Sequence, residues 1–240
     1  MAMDEAVFTG LKEGQSIPAL RLYTWLPATI SIGYFQNAGD INFEQCREDG
    51  IGVVRRMTGG RAVLHNEELT YSILFAEEDF LPFRKKDLFL FIAHCLVHSL
   101  EALGIESKVA EKTRGDLRSA NCFASPAQFE IESLGQGKLI GSAQVLKDGI
   151  VLQHGAIPLT GSYREISKYL NCDSDFVKSI SSLNQASGSR VDPASLLSSL
   201  KTGFGQHVLL EEGGLNEFEE ALTEQLSRDK YDTDAWTLRK

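Results

Sequence analysis

Arg55-Arg56-Met57-Thr58-Gly59-Gly60-Arg61-Ala62-Val63-Leu64-His65 is a basic, glycine-centred stretch set between two apolar runs. Ile51 to Val54 precede it, and Ala62 to Leu64 lead into the alternating Leu69-Thr70-Tyr71-Ser72-Ile73-Leu74-Phe75, so it reads as strand, tight loop, strand. Adjacent glycines permit positive φ and let a ligand approach the backbone. Thr58 offers a hydroxyl, and Arg55, Arg56 and Arg61 place positive charge around the loop. Those properties suit an anionic or carbonyl-bearing ligand. Gly59-Gly60 taken alone allows a plainer reading, a two-residue hairpin with solvated arginines.

The rest of the chain bounds the answer. It has 240 residues, and its 42% apolar content supports one large domain with a sizeable core. Its net charge of -9 speaks against general nucleic-acid binding, which needs a broad basic surface, so any basic patch must be local. No N-terminal stretch combines a basic start, an apolar core and a small-residue cleavage site. The longest apolar run, Leu88 to Leu100, is broken by His94 and His98, so a soluble cytoplasmic protein with no membrane association is expected. The four cysteines, Cys46, Cys95, Cys122 and Cys172, are widely spaced without a Cys-x-x-Cys, which indicates neither a zinc knuckle nor a disulfide framework.

Along the chain, Met3 to Ala6 begin a short helix, Leu20 to Phe35 read as two strands parted near Pro27-Ala28, and Asn42 to Gly50 read as a helix ending at glycine. From Lys85 to Leu103 apolar residues recur at helical spacing, with Gly104 as the stop. His94 and His98 are four apart there, but without a third ligand no metal is expected. Ala127 to Leu134, Lys138 to Leu146 and Gly149 to Ile157 read as a three-stranded meander. Helices follow at Tyr163 to Leu170 and Asp175 to Leu183, then a Ser-rich loop and a helix start at Asp192-Pro193. A short strand, Val208 to Leu210, precedes a final amphipathic helix near Asn216 to Arg228. This is an α+β domain with mixed or antiparallel sheets flanked by helices, a core over about 16–210 and a helical extension over about 211–240.

Two residues on the meander stand out. A lone cysteine is usually an idle thiol and a lone lysine at a strand start is usually solvated, but Cys122 and Lys138 flank the same hairpin. If its strands pair antiparallel, the loop bearing Cys122 can fold back toward Lys138. An ammonium there would favour the thiolate and could stabilise an oxyanion.

The string from Arg55 to His65 resembles the Arg-Arg-x-Thr/Ser-Gly-Gly-x-Ala-Val-x-His signature of the lipoate-protein ligase and octanoyltransferase family, which shares its fold with the biotin-protein ligase catalytic domain. Gly137-Lys138-Leu139-Ile140-Gly141-Ser142-Ala143 and Gln153-His154-Gly155-Ala156-Ile157 are similar to two further family strings, and Tyr34-Phe35-Gln36 to a third. Cys122-Phe123 with Ser125-Pro126, Arg61 after Gly60, the run Leu64 to Ser72, and Lys230-Tyr231 with Asp234 and Trp236 resemble the LipM-type octanoyltransferases. Two departures are visible. The sequence starts too late to contain the family's strand ahead of the first helix, so either an edge strand is missing or the start is truncated, and Asn66 stands where Asp commonly follows the His, so any carboxylate role there falls to Glu67 or is dispensable.

The resemblance implies a two-step acyl transfer. Cys122 takes an octanoyl group from octanoyl-acyl carrier protein as a thioester, and the lysine of an apo lipoyl domain, on glycine cleavage H protein or a 2-oxoacid dehydrogenase E2, then takes it as an amide. Lys138 would polarise the acyl carbonyl, and backbone N–H groups from Gly141 through Ser142 to Ala143 would hold the oxyanion. Arg55, Arg56, Thr58, Gly59, Gly60, Arg61, His65, His154 and Gly155 would line the substrate site, with His154 a proton carrier or a hydrogen-bonded strand residue. A basic surface around Arg55, Arg56, Arg61 and Arg84 to Lys86 would receive the carrier. No cofactor or metal is implied. ATP and Mg enter only for the rival reading, an ATP-dependent lipoate-protein ligase in which Cys122 is incidental. A lipoyl-relay amidotransferase would use the same Cys122 and Lys138, and a non-catalytic acyl- or lipoyl-domain-binding module would bind without turnover.

Overall fold

The computed structural model describes residues 1–80, 82, 84–110, 130–135, 137–172 and 180–239. Its first helix, α1 (Ala2–Lys12), buries Ala6, Val7 and Phe8. Strands β1 (Ala19–Tyr23) and β2 (Thr29–Ile32) follow and part company at the intervening loop, each joining a different sheet.

The smaller sheet holds β2 at its centre, parallel to β3 (Gly52–Arg55) and antiparallel to β4 (Val63–His65), with the short helix α2 (Phe43–Glu48) capped by Asn42. The larger sheet is antiparallel throughout. Its six strands run in the order β1, β5 (Glu68–Ala76), β9 (Ile150–Pro158), β8 (Gly137–Lys147), β7 (Ile131–Ser133) and β6 (Ser107–Val109). Strands β7, β8 and β9 are the expected meander.

Period-two alternation gives the large sheet two distinct faces. Tyr71, Phe75, Val151 and Ile157 pack beneath α3 (Lys85–Glu101) and α5 (Pro193–Gly205) in the main core. Leu74, Ile150 and Leu152 face the other way, onto Val7 and Phe8 of α1. Asp192 caps α5, its carboxylate accepting from Ser195 N with Pro193 just inside, as the Asp-Pro pair implied.

Two expectations change and two others fall partly outside the described residues. Gly161–Tyr169 forms 3₁₀ turns rather than an α-helix, while the helix expected over 175–183 lies partly outside the described residues, and α4 spans Leu183–Ser187. The first meander strand is described only from Glu130. Val208 to Leu210 form no strand, because no sheet edge meets them; Leu209 is 90% exposed. The chain closes with α6 (Glu217–Leu226), a π-turn at Ser227–Tyr231 and α7 (Asp234–Thr237), so the C-terminal region is helical as read. No helix among the described residues is long and apolar enough to cross a membrane.

Candidate active site

The signature loop is not a hairpin. Strands β3 and β4 flank β2, so residues 56–62 must cross over the end of β2 at Gly33. The crossing is tight: a Cβ on Gly33 would fall 1.9 Å from the Gly60 carbonyl oxygen, and Gly60 itself has φ +97°. Both positions need glycine.

The two leading arginines build this loop from inside, which corrects the expectation that they meet a ligand or form a basic surface. Arg55 is wholly buried. Its guanidinium donates to the carbonyls of Gly33 (2.7 Å), Tyr34 (3.1 Å), Gln36 (2.7 Å), Thr237 (2.9 Å) and Arg239 (3.0 Å), tying the C-terminal segment to the turn after β2. Arg56, 5% exposed, donates to Gly59 O and Arg61 O at 2.8 Å each and to Ser31 O, clamping the loop. Burial pushes Arg56 down to about 10, so it remains a cation at neutral pH. Among the described residues neither arginine has a carboxylate partner, so both leave uncompensated positive charge beneath the loop. Arg61 alone of the three is exposed.

Thr58, also buried, joins the loop to the large sheet through a 2.6 Å hydrogen bond between its Oγ1 and His154 Nε2. Register defines what else shares that face. Ser72, His154 and Ala143 stand side by side, and two residues along stand Thr70, Ala156 and Gly141. Ala143, Ala156 and Gly141 therefore form a small-residue floor beside Thr58 and His154. Burial pushes His154 down to about 3, so at neutral pH its imidazole is uncharged and hydrogen-bonded to Thr58.

Lys138 reaches this floor. A Cβ on Gly141 would meet Lys138 Cε at 3.1 Å and Nζ at 3.3 Å, so the ammonium lies over Gly141. Glu130 Oε1 accepts from Nζ at 2.7 Å. Pairing with β7 stops at Ile140, and from Gly141 onward β8 pairs with β9 alone among the described residues. Cys122 lies outside the described residues, as do Phe123, Ser125 and Pro126.

Ser142 and Gly155 point the other way. Ser142 Oγ is 2.7 Å from Tyr71 OH, and a Cβ on Gly155 would fall 2.5 Å from the Tyr71 ring, so the side-chain positions of both serve the core under α3. Only their backbone can belong to the site.

His65 sits in a buried chain of hydrogen bonds. Its Nδ1 is 2.7 Å from Glu68 Oε1, its Nε2 is 2.7 Å from Ser31 Oγ, and Trp25 stacks on it at 4.3 Å. A carboxylate accepts, so Nδ1 donates to Glu68; Nε2 meets the Ser31 hydroxyl, whose oxygen also accepts from Arg56 Nη1 at 3.1 Å. Both ring nitrogens are thereby occupied, and His65 supports the clamp rather than a substrate. The acid that orients it is Glu68, not Glu67, which takes φ 49° in the turn and accepts from Thr160 instead. A cavity of about 290 Å³ borders Trp25, His65, Glu68, Leu69, Leu159 and Val191, and it includes neither Lys138 nor the Thr58 loop.

Ser31, Glu68 and Glu130 are the residues that the sequence reading missed. Glu68 was discoverable, since a two-residue turn after His65 brings the third residue back alongside it. Ser31 and Glu130 carry no local signal. Among the described residues no three His, Cys, Asp or Glu groups gather as a metal site, and His98 Nδ1 instead meets His207 Nε2 at 3.1 Å.

Comparison with known proteins agrees with this architecture. Residues 1–205 match the family model of the lipoyl protein ligase A/B catalytic domain. The whole chain aligns at 36% identity with 94% of a Brevibacillus brevis protein named octanoyltransferase LipM, and at 39% identity with 94% of the protein of that name from Kyrpidia tusciae. A solved T. acidophilum protein with bound lipoic acid matches with a TM-score of 0.82 at 26% identity, over 99% of this chain and 91% of that one. A lipoate-protein ligase A bound with ATP matches with a TM-score of 0.81 at 25% identity, over 99% and 92%. The crossing loop clamped by Arg56, the lysine over Gly141 and the two-sheet frame are thus features of a chain that belongs to the lipoyl protein ligase A/B catalytic domain family.

Proposed function

We propose that this chain moves an octanoyl group from acyl carrier protein to a lysine of an apo lipoyl domain through a thioester on Cys122. It is an octanoyltransferase of lipoate biosynthesis, as its full-length relatives in Brevibacillus brevis and Kyrpidia tusciae are named. The observation that carries the mechanism is the Lys138 ammonium held over Gly141, on the sheet face that the Thr58 loop covers.

In the first step the Cys122 thiolate attacks the thioester carbonyl. Negative charge gathers on the carbonyl oxygen, where Lys138 Nζ and whichever backbone N–H groups of Gly141 to Ala143 face away from β9 donate to it. The tetrahedral species collapses, the carrier's sulfur leaves as thiolate and takes up a proton, and the octanoyl group remains on Cys122. In the second step the neutral amine of the acceptor lysine attacks the new thioester. The C–N bond forms, the C–S bond to Cys122 breaks, and the proton released by nitrogen returns the cysteine to its resting state. Conversion of a thioester to an amide drives the sequence forward. The donor arrives activated, so the reading requires neither ATP nor a metal, and it places the enzyme in the cytoplasm with its carrier.

Ala143, Ala156 and Gly141 suit a narrow acyl channel, because small side chains leave room beside the sheet for a straight aliphatic chain. Thr58 and His154 fix the loop above it. The buried Arg55 and Arg56 charges add positive potential without touching the substrate.

Intact-protein mass spectrometry tests this reading. Mixed with octanoyl-acyl carrier protein and no ATP, the enzyme should gain an octanoyl-sized mass that hydroxylamine removes and that Cys122→Ala abolishes. The likeness to an ATP-bound ligase motivates the rival reading. It predicts no adduct, with transfer only when ATP and free octanoate or lipoate are supplied.

A further inference from the structure

The signature loop has an exposed neighbour that does not help to hold it. Tyr34 N donates to Thr58 O at 2.8 Å, which fixes the turn after β2 against the loop. Phe35 follows, 83% exposed, its ring edge-on to Tyr34 at 4.7 Å. Aromatic rings are enriched among the residues that carry binding energy at interfaces, so a ring exposed beside this loop can anchor a partner.

Unbalanced positive charge surrounds this ring. The Arg239 guanidinium lies 3.7 Å over Tyr34 and 4.0 Å over Trp236 and donates to Tyr34 O, with no carboxylate partner among the described residues. Arg55 lies beneath it, bonded only to carbonyls. Met57 of the loop and Val145 both pack against the core cluster that holds Ile150, which brings the β8–β9 hairpin alongside, and exposed Lys147 on that hairpin has only its neighbour Asp148 acting on it, a carboxylate already paired with Lys12. The Tyr34 phenol registers the same field: Arg239, by hydrogen bond and charge, and then Lys147 and Lys230 hold it below its ordinary value. Lys230 is paired with Glu5, so Arg239 and Lys147 carry the excess. In a chain of net charge -9 such a patch is a local exception.

We propose that Phe35, Arg239 and Lys147 form the docking surface for the acidic carrier protein that delivers the acyl thioester. This rests on the transfer reading; of the basic surface first expected at Arg55, Arg56, Arg61 and Arg84 to Lys86, Arg55 and Arg56 are buried and drop out, while Arg61, Arg84 and Lys86 stay exposed. Charge selects the donor over the acceptor. The acceptor's reactive tip is an ammonium, which Arg239 and Lys147 repel, whereas the donor brings a neutral thioester on an anionic protein. Phe35 supplies the apolar anchor and the two cations steer the approach.

Steady-state kinetics of Phe35→Ser and Lys147→Glu, with octanoyl-acyl carrier protein and with the small thioester octanoyl-N-acetylcysteamine, test the surface. Each variant should raise the KM for the carrier-bound donor about tenfold. The rate with the small thioester, kcat at saturation and the KM for the lipoyl-domain acceptor should stay as in the wild type. Added salt should raise the wild-type KM for the carrier more than that of Lys147→Glu. Unchanged carrier KM in both variants, or a rise in acceptor KM instead, overturns the docking surface alone. A wild type that takes no octanoyl group from the carrier overturns the transfer reading and this surface with it.

Discussion

Thr58 Oγ1 and His154 Nε2 meet at 2.6 Å, and this contact locks the loop of the small sheet onto the face of the large one. It also makes the joint sensitive to acid. His154 drops from an ordinary value of 6.5 to about 3, chiefly through burial, so the folded protein holds the imidazole neutral where the unfolded chain would protonate it. The unfolded state binds the extra proton between those values. Stability from this group is therefore complete above pH 6.5 and is lost as the pH falls toward 3, at up to about 1.4 kcal/mol per pH unit. Burial raises Asp4, but the N-terminal ammonium and Arg21 outweigh it and hold the carboxyl below 3.8, so its loss begins only at lower pH. Urea unfolding between pH 7 and 4 should show the wild type losing stability and His154→Asn, weaker at pH 7, losing distinctly less. Equal slopes would refute the assignment.

Arg55 presents a different kind of joint. Its guanidinium gathers carbonyls from Gly33, Tyr34 and Gln36 on one side and Thr237 and Arg239 on the other. Arg55→Ala takes a donor from all five carbonyls, with Gly33 O and Tyr34 O keeping another from Gln36 N and Arg239 respectively, and should cost about 3 kcal/mol. Arg55→Lys keeps the charge but has too few donors in the wrong geometry, and should recover only part of the loss. Thermal unfolding reads the stability, and limited proteolysis should show release of residues 206–239 first. A mild Arg55→Ala phenotype with an intact C-terminal segment would mean that the strap is held elsewhere.

Much of this frame was legible in the sequence because its signals are local. Alternation in β5, the glycine turns of the meander, the helical period of α3 and the Asp192-Pro193 start each lie within a few residues. What the sequence hid was where charged side chains end. An arginine bound to five carbonyls from two distant segments looks, in one dimension, like an arginine waiting for a ligand. The same limit misplaced the acid beside His65, because adjacent Glu67 and Glu68 differ only in which side of a turn they occupy. Ser142 and Gly155 were assigned to the site with their strings, yet alternation alone puts their side-chain positions on the face opposite His154, and applying it would have divided those strings correctly. Cys122 remains a reading from sequence.

Gly33 tests whether the crossing matters to chemistry. A methyl group there would lie 1.9 Å from Gly60 O and 3.2 Å from Gly60 N, backbone atoms that Arg56 and β4 hold in place. Gly33→Ala must therefore lift the loop from its seat and break the Thr58 contact, while the α3 core beneath the other face is untouched. Overpacking of this kind costs about 1–3 kcal/mol, so the variant should fold but should form acyl-enzyme slowly even with a small thioester. Wild-type acylation rates in Gly33→Ala would show that the loop's exact seat is dispensable.

Lys138 and Glu130 form the pair whose separation should matter most for rate. Lys138→Met removes a donor aimed at the developing oxyanion and should slow acyl-enzyme formation by about 10²–10³, with the fold retained because the side chain is one-quarter exposed. Glu130 acts through it as a positioning residue. Glu130→Gln keeps an acceptor at the same place and should stay within about tenfold of wild type, whereas Glu130→Leu frees the ammonium from its seat over Gly141 and should approach Lys138→Met. The two lesions break one device, so the Glu130→Leu/Lys138→Met double variant should be no slower than Lys138→Met alone. Single-turnover acylation by a small thioester measures each rate without carrier binding. Additive losses in the double variant would mean that Glu130 serves the reaction, or the fold, independently of Lys138.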